Sequence, residues 1–182
     1  MKKILLLFLI IILVFLIYYF NRDKKKYILS IGDEYIYNTS LNDKISFYKK
    51  NKLLEKEVIF KNKGDYRVID LINDINDNVK FKYNGKSYTI DNALIKSDIL
   101  LISIGYNDLK YCLSFCSYDY IDELMNDFDN LFHLIREYNK EKIYFINLLR
   151  IEDIKLTNYI DERFSMIAKK YNILIINDNF TI

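Results

Sequence analysis

Seven residues constrain the fold more than any others: Asp98-Ile99-Leu100-Leu101-Ile102-Ser103-Ile104, an almost unbroken apolar run that ends at Gly105. A strand sends successive side chains to opposite faces, so a run apolar at nearly every position has to be covered on both sides. A one-sided antiparallel sheet does not meet that requirement; a parallel sheet between helices does. The rest of the chain supplies the partners. Short apolar runs predict further strands at residues 27–31, 58–60, 142–147 and 173–176. Between them, apolar spacing of three and four predicts helices at 40–56, 65–76, 118–139 and 153–171. Ser40 is read as the cap of the first of these.

Alternation of strand and helix in this order gives an α/β fold, a three-layer α/β/α sandwich around a five-stranded, mostly parallel sheet of flavodoxin-like order. Residues 79–90 interrupt the pattern with two alternating runs on either side of Asn84-Gly85, a strong hairpin signal, and read as an insertion outside the main sheet. In such a sheet ligands bind beyond the carboxyl ends of the strands, where the strand order reverses. Two segments fall there: Gly32-Asp33-Glu34 after the first strand and Gly105-Tyr106-Asn107-Asp108 after the third.

Ahead of this domain, residues 4–20 form 17 consecutive uncharged positions, flanked by Lys2-Lys3 and by Asn21-Arg22-Asp23-Lys24-Lys25-Lys26. As a helix the run would span about 26 Å, enough to cross a hydrocarbon layer. Its end, Leu16-Ile17-Tyr18-Tyr19-Phe20, offers bulky side chains where a signal peptidase needs small ones, which favours an uncleaved anchor over a signal peptide. A buried core helix fits poorly, because the run is apolar on every side. Residues 1–26 are therefore read as a single-pass membrane anchor with a basic flank, and residues 27–182 as the domain. Cations flank both ends, with the larger cluster at 22–26 favouring that side inward, so charge alone does not settle orientation. Residues 1–26 hold six of the 27 cationic residues and one of the 25 acidic ones, leaving the domain 21 against 24, a net of −3. That balance argues against a nucleic-acid partner. The 17 tyrosines, 12 phenylalanines and absence of proline express a global bias, so single Lys and Asn residues carry little functional weight.

Ser30-Ile31-Gly32-Asp33-Glu34-Tyr35 resembles the first sequence block of the SGNH (GDSL-type) hydrolases, and Gly105-Tyr106-Asn107-Asp108 is similar to their G-x-N-D block. Between them, the stretch from Lys63-Gly64-Asp65 to Asp70-Leu71 resembles the block whose glycine lends a backbone N–H. The resemblance implies an acyl-transfer fold in which a serine attacks an ester, a histidine accepts its proton, and Gly64 and Asn107 cradle the oxyanion. It also implies a remnant pocket at Gly32, Asp33, Gly64, Asn107 and Asp108, a small ester, lipid or glycan ligand, no cofactor, and a domain outside the cytoplasm.

The sequence departs from the family at the chemistry. The nucleophile position holds Glu34, whose charge would oppose an oxyanion. The closing D-x-x-H block is expected after the fifth strand, where the sequence reads Asp178-Asn179-Phe180-Thr181-Ile182. The one histidine, His133, is expected on the solvent face of the long helix, and Ser30 inside a strand. The expectation is a catalytically silent binding or scaffold module or a decaying paralogue, the alternative an active ester hydrolase. Asp33, Glu34 and Asp108 are candidate Mg²⁺ or Ca²⁺ ligands, although hydrogen bonding within the loops is the preferred role. Cys112 and Cys116 could bridge, but free, partly buried thiols are preferred, and further zinc ligands are not found.

Overall fold

The computed structural model describes residues 27–33, 57–110, 116–147 and 153–177. In chain order the elements are β1 (Tyr27–Asp33), β2 (Val58–Lys63), α1 (Val68–Asn76), β3 (Lys80–Tyr83), β4 (Lys86–Thr89), α2 (Ile90–Lys96), β5 (Ser97–Ser103), α3 (Tyr106–Lys110), α4 (Tyr118–Tyr138), β6 (Lys142–Asn147), α5 (Ile154–Lys170) and β7 (Ile173–Asn177). Five strands form one sheet in the order β2-β1-β5-β6-β7, and β3 pairs with β4 in a separate hairpin. Every neighbouring pair in the main sheet is parallel, so the sheet is wholly rather than mostly so. Strand order reverses at β1 and β5, the place expected for a ligand.

Alternation sorts the strand side chains onto two faces. Leu29, Ile31, Leu100, Ile102, Ile143, Phe145 and Ile173 enter one large core together with the apolar faces of α1, α2, α4 and α5. Its centre is aromatic: Phe128 and Phe132 from α4, Phe145 from β6 and Phe164 from α5, with ring centroids 4.4 to 6.0 Å apart. Truncating one such ring to alanine typically costs about 3–5 kcal/mol. Ile28, Ile99 and Leu101 point the other way and form a smaller cluster with Val58, Tyr144 and Ile146. The helix expected at 40–56, which should cover this second face, lies outside the described residues. So do residues 4–20; among the described residues no helix is long and apolar enough to cross a membrane.

The boundaries follow local chemistry. Ser117 caps α4 by accepting Tyr120 N–H at 3.2 Å, and Asp153 caps α5 by accepting the N–H groups of Lys155 and Leu156 at 2.8 and 3.1 Å. Asn84 and Gly85 both take positive φ, 46° and 75°, as a two-residue hairpin turn requires. Helix α1 starts at Val68 instead of the expected residue 65, because Gly64 and Asp65 form a turn with Asp65 at φ 53°. Helices α2 and α3 were not expected, being seven and five residues long, too short for helical spacing to register.

The amino edge of the sheet is fastened by two side chains near the end of α4. The Arg136 guanidinium donates to the carbonyls of Tyr171, Asn172 and Glu141 at 2.8, 2.9 and 2.6 Å. Asn139 Nδ2 donates to the carbonyls of Leu94 and Ser97 at 2.6 and 3.1 Å and to Ser97 Oγ at 2.8 Å.

Candidate functional site

Three segments converge at the carboxyl edge where β1 meets β5. Asp33 lies in register with Lys63, one residue before Gly64, and Gly32 lies in register with Ser103, which leads into Gly105 and α3. Gly32 adopts φ 145°, and a Cβ built on it would fall 1.7 Å from the Ser103 carbonyl oxygen. No side chain fits there, so the glycine sets the approach of the two strands. Gly105 likewise takes φ 104° at the turn out of β5.

The segment after Gly105 is tied to the one after Gly64. Asn107 is buried, and its Nδ2 donates to the Tyr66 carbonyl at 3.2 Å. Asp108 is buried too, and its Oδ2 accepts the Val68 N–H, at the first residue of α1, at 3.1 Å. Tyr120 Oη donates to the Asp108 carbonyl at 2.9 Å. Burial pushes the Asp108 carboxyl up to about 6, although the Val68 N–H, a second backbone N–H and the charge of Arg67 all pull it down. A carboxylic acid that titrates near neutrality beside a helix start is the kind of group found in functional clefts. Gly64 is exposed at the turn above Tyr66.

Of the residues named from sequence, Gly32, Gly64, Asn107 and Asp108 are thus brought to one edge. Asp33 is there by its backbone, while Glu34 lies outside the described residues, as does Ser40. Ser30 is fully buried inside β1, and neither its hydroxyl nor that of buried Ser103 has a hydrogen-bond partner. His133 stands near the far end of α4, its side chain 68% exposed and 3.6 Å from Glu137. Its ring centroid is 6.4 Å from that of Tyr171, just before β7, on the amino side of the sheet. The expectation that it faces solvent is met, and the sheet separates it from Asn107.

Among the described residues no group of three acidic, histidine or cysteine side chains is placed to hold a metal ion. Cys116 is disulfide-bonded, which corrects the expectation of free thiols. Cys112, the second of the two cysteines in the chain, lies outside the described residues.

Sequence reasoning missed the cluster beneath Gly64. Lys61, only 8% exposed although it sits in a strand, donates to Tyr66 Oη at 2.7 Å and to Asp74 Oδ2 at 2.5 Å. Tyr66 Oη itself donates to Asp74 Oδ2 at 2.5 Å. Burial above all, with Asp74 beside it, holds the Tyr66 hydroxyl far above its ordinary pKa. For Asp74, burial is outweighed by the hydrogen bonds from Lys61 and Tyr66 and the nearby charges of Lys61 and Lys63, so its carboxyl is lowered. The cluster fixes Tyr66, whose carbonyl in turn holds Asn107. No spacing rule marks it, because its members come from a strand, a turn and a helix.

The same arrangement recurs in solved structures. A protein from Parabacteroides merdae assigned as a GDSL-like lipase aligns over 84% of this chain and 77% of its own, with a TM-score of 0.60 at 14% identity. The lipase Lip_vut3 from a goat rumen metagenome aligns over 84% and 80%, TM-score 0.57, at 14% identity. Axe2, an acetylxylan esterase from Geobacillus stearothermophilus, aligns over 84% and 75%, TM-score 0.57, at 15% identity. The fold is that of the SGNH hydrolases. At these identities the likeness concerns the SGNH architecture alone. No protein-family model matches the sequence, and no curated protein matches it at the sequence level.

Proposed function

We propose that the chain is a membrane-anchored SGNH-type domain that has lost ester hydrolysis and serves as a binding or scaffold module at its remnant pocket. One observation carries this reading: the residue after Gly32-Asp33, where an SGNH enzyme has its serine, is Glu34. The absence of a suitable base strengthens it. His133 is the single histidine of the sequence, and it lies on the outer surface of α4, away from Asn107. A general base has to come within hydrogen-bond reach of the proton it removes. Losing nucleophile and base together removes on the order of a millionfold in rate from a serine hydrolase. Gly64 and Asn107 would still offer donors to a carbonyl or carboxylate, so a small ester, lipid or glycan fragment is the ligand class that fits. The disulfide at Cys116 supports a domain outside the cytoplasm, where such bonds persist.

An active ester hydrolase is the second reading, favoured by the lipase and acetylxylan esterase structures that share the fold. A serine-reactive fluorophosphonate separates the two. The full chain should remain unlabelled, and Glu34→Ser should stay silent toward a short-chain nitrophenyl ester for want of a base. Labelling of the native chain, or turnover by the variant above a buffer control, would overturn the proposal.

A further inference from the structure

The amino edge of the sheet, opposite the candidate site, carries a basic face beside the root of the expected anchor. Tyr27 opens β1, and only residues 21–26 separate it from the apolar run 4–20. It is held firmly. Its ring meets Tyr88 edge-on at 6.4 Å, and its hydroxyl donates to the Ala93 carbonyl at 3.2 Å. Tyr88 stacks on Phe81 at 5.5 Å, so the inner face of the hairpin β3–β4 is packed down over the start of β1.

Alternation puts different residues on the outer face. Lys80 and Lys82 are exposed there, in register with Thr89 and Ser87. Lys96 ends α2, also exposed, and a cavity of about 370 Å³ opens between it and Lys80, lined by Ser87, Thr89 and Asn92. Lys86 stands at the turn. The acids at this edge are few and engaged: Glu57 lies 4.0 Å from Lys86, and Asp91 accepts from Thr89 and Asn92 at 2.5 Å. A domain of net charge −3 thus shows a cationic patch where the chain turns toward the anchor.

We propose that this hairpin face is a second membrane contact, which takes the anionic headgroups of the bilayer that holds residues 4–20. The inference rests on the anchor reading. The six residues 21–26 span at most about 22 Å, so the patch stays within reach of the headgroups. Near an anionic surface each lysine is worth about fivefold in partitioning, and the effect fades as salt shortens the screening length. Gly32 lies five residues along β1 from Tyr27, about 17 Å further from the bilayer. Docked this way, the domain presents its candidate site to material beyond the membrane instead of to acyl chains within it.

Lysine acetylation read by mass spectrometry tests the contact on the full chain reconstituted in vesicles. One set is phosphatidylcholine alone, the other includes one third phosphatidylglycerol. Lys80, Lys82, Lys86 and Lys96 should be protected at least threefold on the anionic vesicles at low salt and lose that protection in molar salt, while Lys155 and Lys169 on α5 stay unchanged. In a variant with Lys80→Gln, Lys82→Gln and Lys86→Gln, all on the surface, Lys96 should label equally on both vesicles. Equal labelling of the native hairpin on both vesicles overturns the inference. Alkaline carbonate extraction tests the anchor separately: release of a chain whose hairpin was protected sinks the anchor and leaves the contact standing.

Discussion

Asp108 shows how one side chain can tie a fold together and penalise it at the same time. Its carboxyl accepts the Val68 N–H inside the protein, yet burial raises its pKa from an ordinary value near 3.8 to about 6. The native state therefore binds more protons than the unfolded chain between about pH 4 and 6. Stability from this group is fully present below pH 4 and is lost as pH rises through 6. The group makes folding about 2 kcal/mol less favourable at pH 7.5 than at pH 4.5. Asp108→Asn keeps an acceptor for Val68 and removes the charge. Urea unfolding at those two pH values should show the native chain losing this increment on going to pH 7.5 and the variant free of it; identical pH slopes would refute the assignment. Residue identities of this kind were legible in the sequence only in part. Gly32, Asn107 and Asp108 could be named from their blocks, but Lys61, Tyr66 and Asp74 could not, because a buried cation in a strand looks like any surface lysine until the fold closes over it.

At the scale of elements, the apolar periods did most of the work. Strands β1, β5, β6 and β7 and helices α4 and α5 fall within a few residues of where the patterns place them, since each buries a continuous face in one core. Helix α2 escaped because seven residues complete barely two turns, and its stability comes from the Asp91 cap and from Ala93 and Leu94 packing under the hairpin. The end of α4 matters more than its sequence suggests. Asn139→Ala would leave the carbonyls of Leu94 and Ser97 buried without their donor, at a cost of about 1–3 kcal/mol. Arg136→Lys should also destabilise, because one ammonium does not reproduce a planar fork that reaches the carbonyls of Tyr171, Asn172 and Glu141. Chemical denaturation would read both losses, and wild-type midpoints for both variants would contradict the bonding described.

For the whole molecule, parallel order and the reversal at β1 and β5 were readable because a strand apolar on both faces admits few architectures. The bridge at Cys116 was not readable, since thiol spacing alone does not report the compartment. With two cysteines in the chain, unreduced protein denatured in guanidinium should give no free-thiol titre, and two thiols per chain would exclude the bridge. One feature of the carboxyl edge bears on how such a chain comes to exist. Gly32 is the only residue type that clears the Ser103 carbonyl, and Asn107 and Asp108 clip the loop after β5 onto the start of α1. These positions earn their keep as joinery. A lineage that sheds its reactive groups would still be punished for altering them, so a surviving G-D and G-x-N-D signature testifies to an intact scaffold and is silent about turnover.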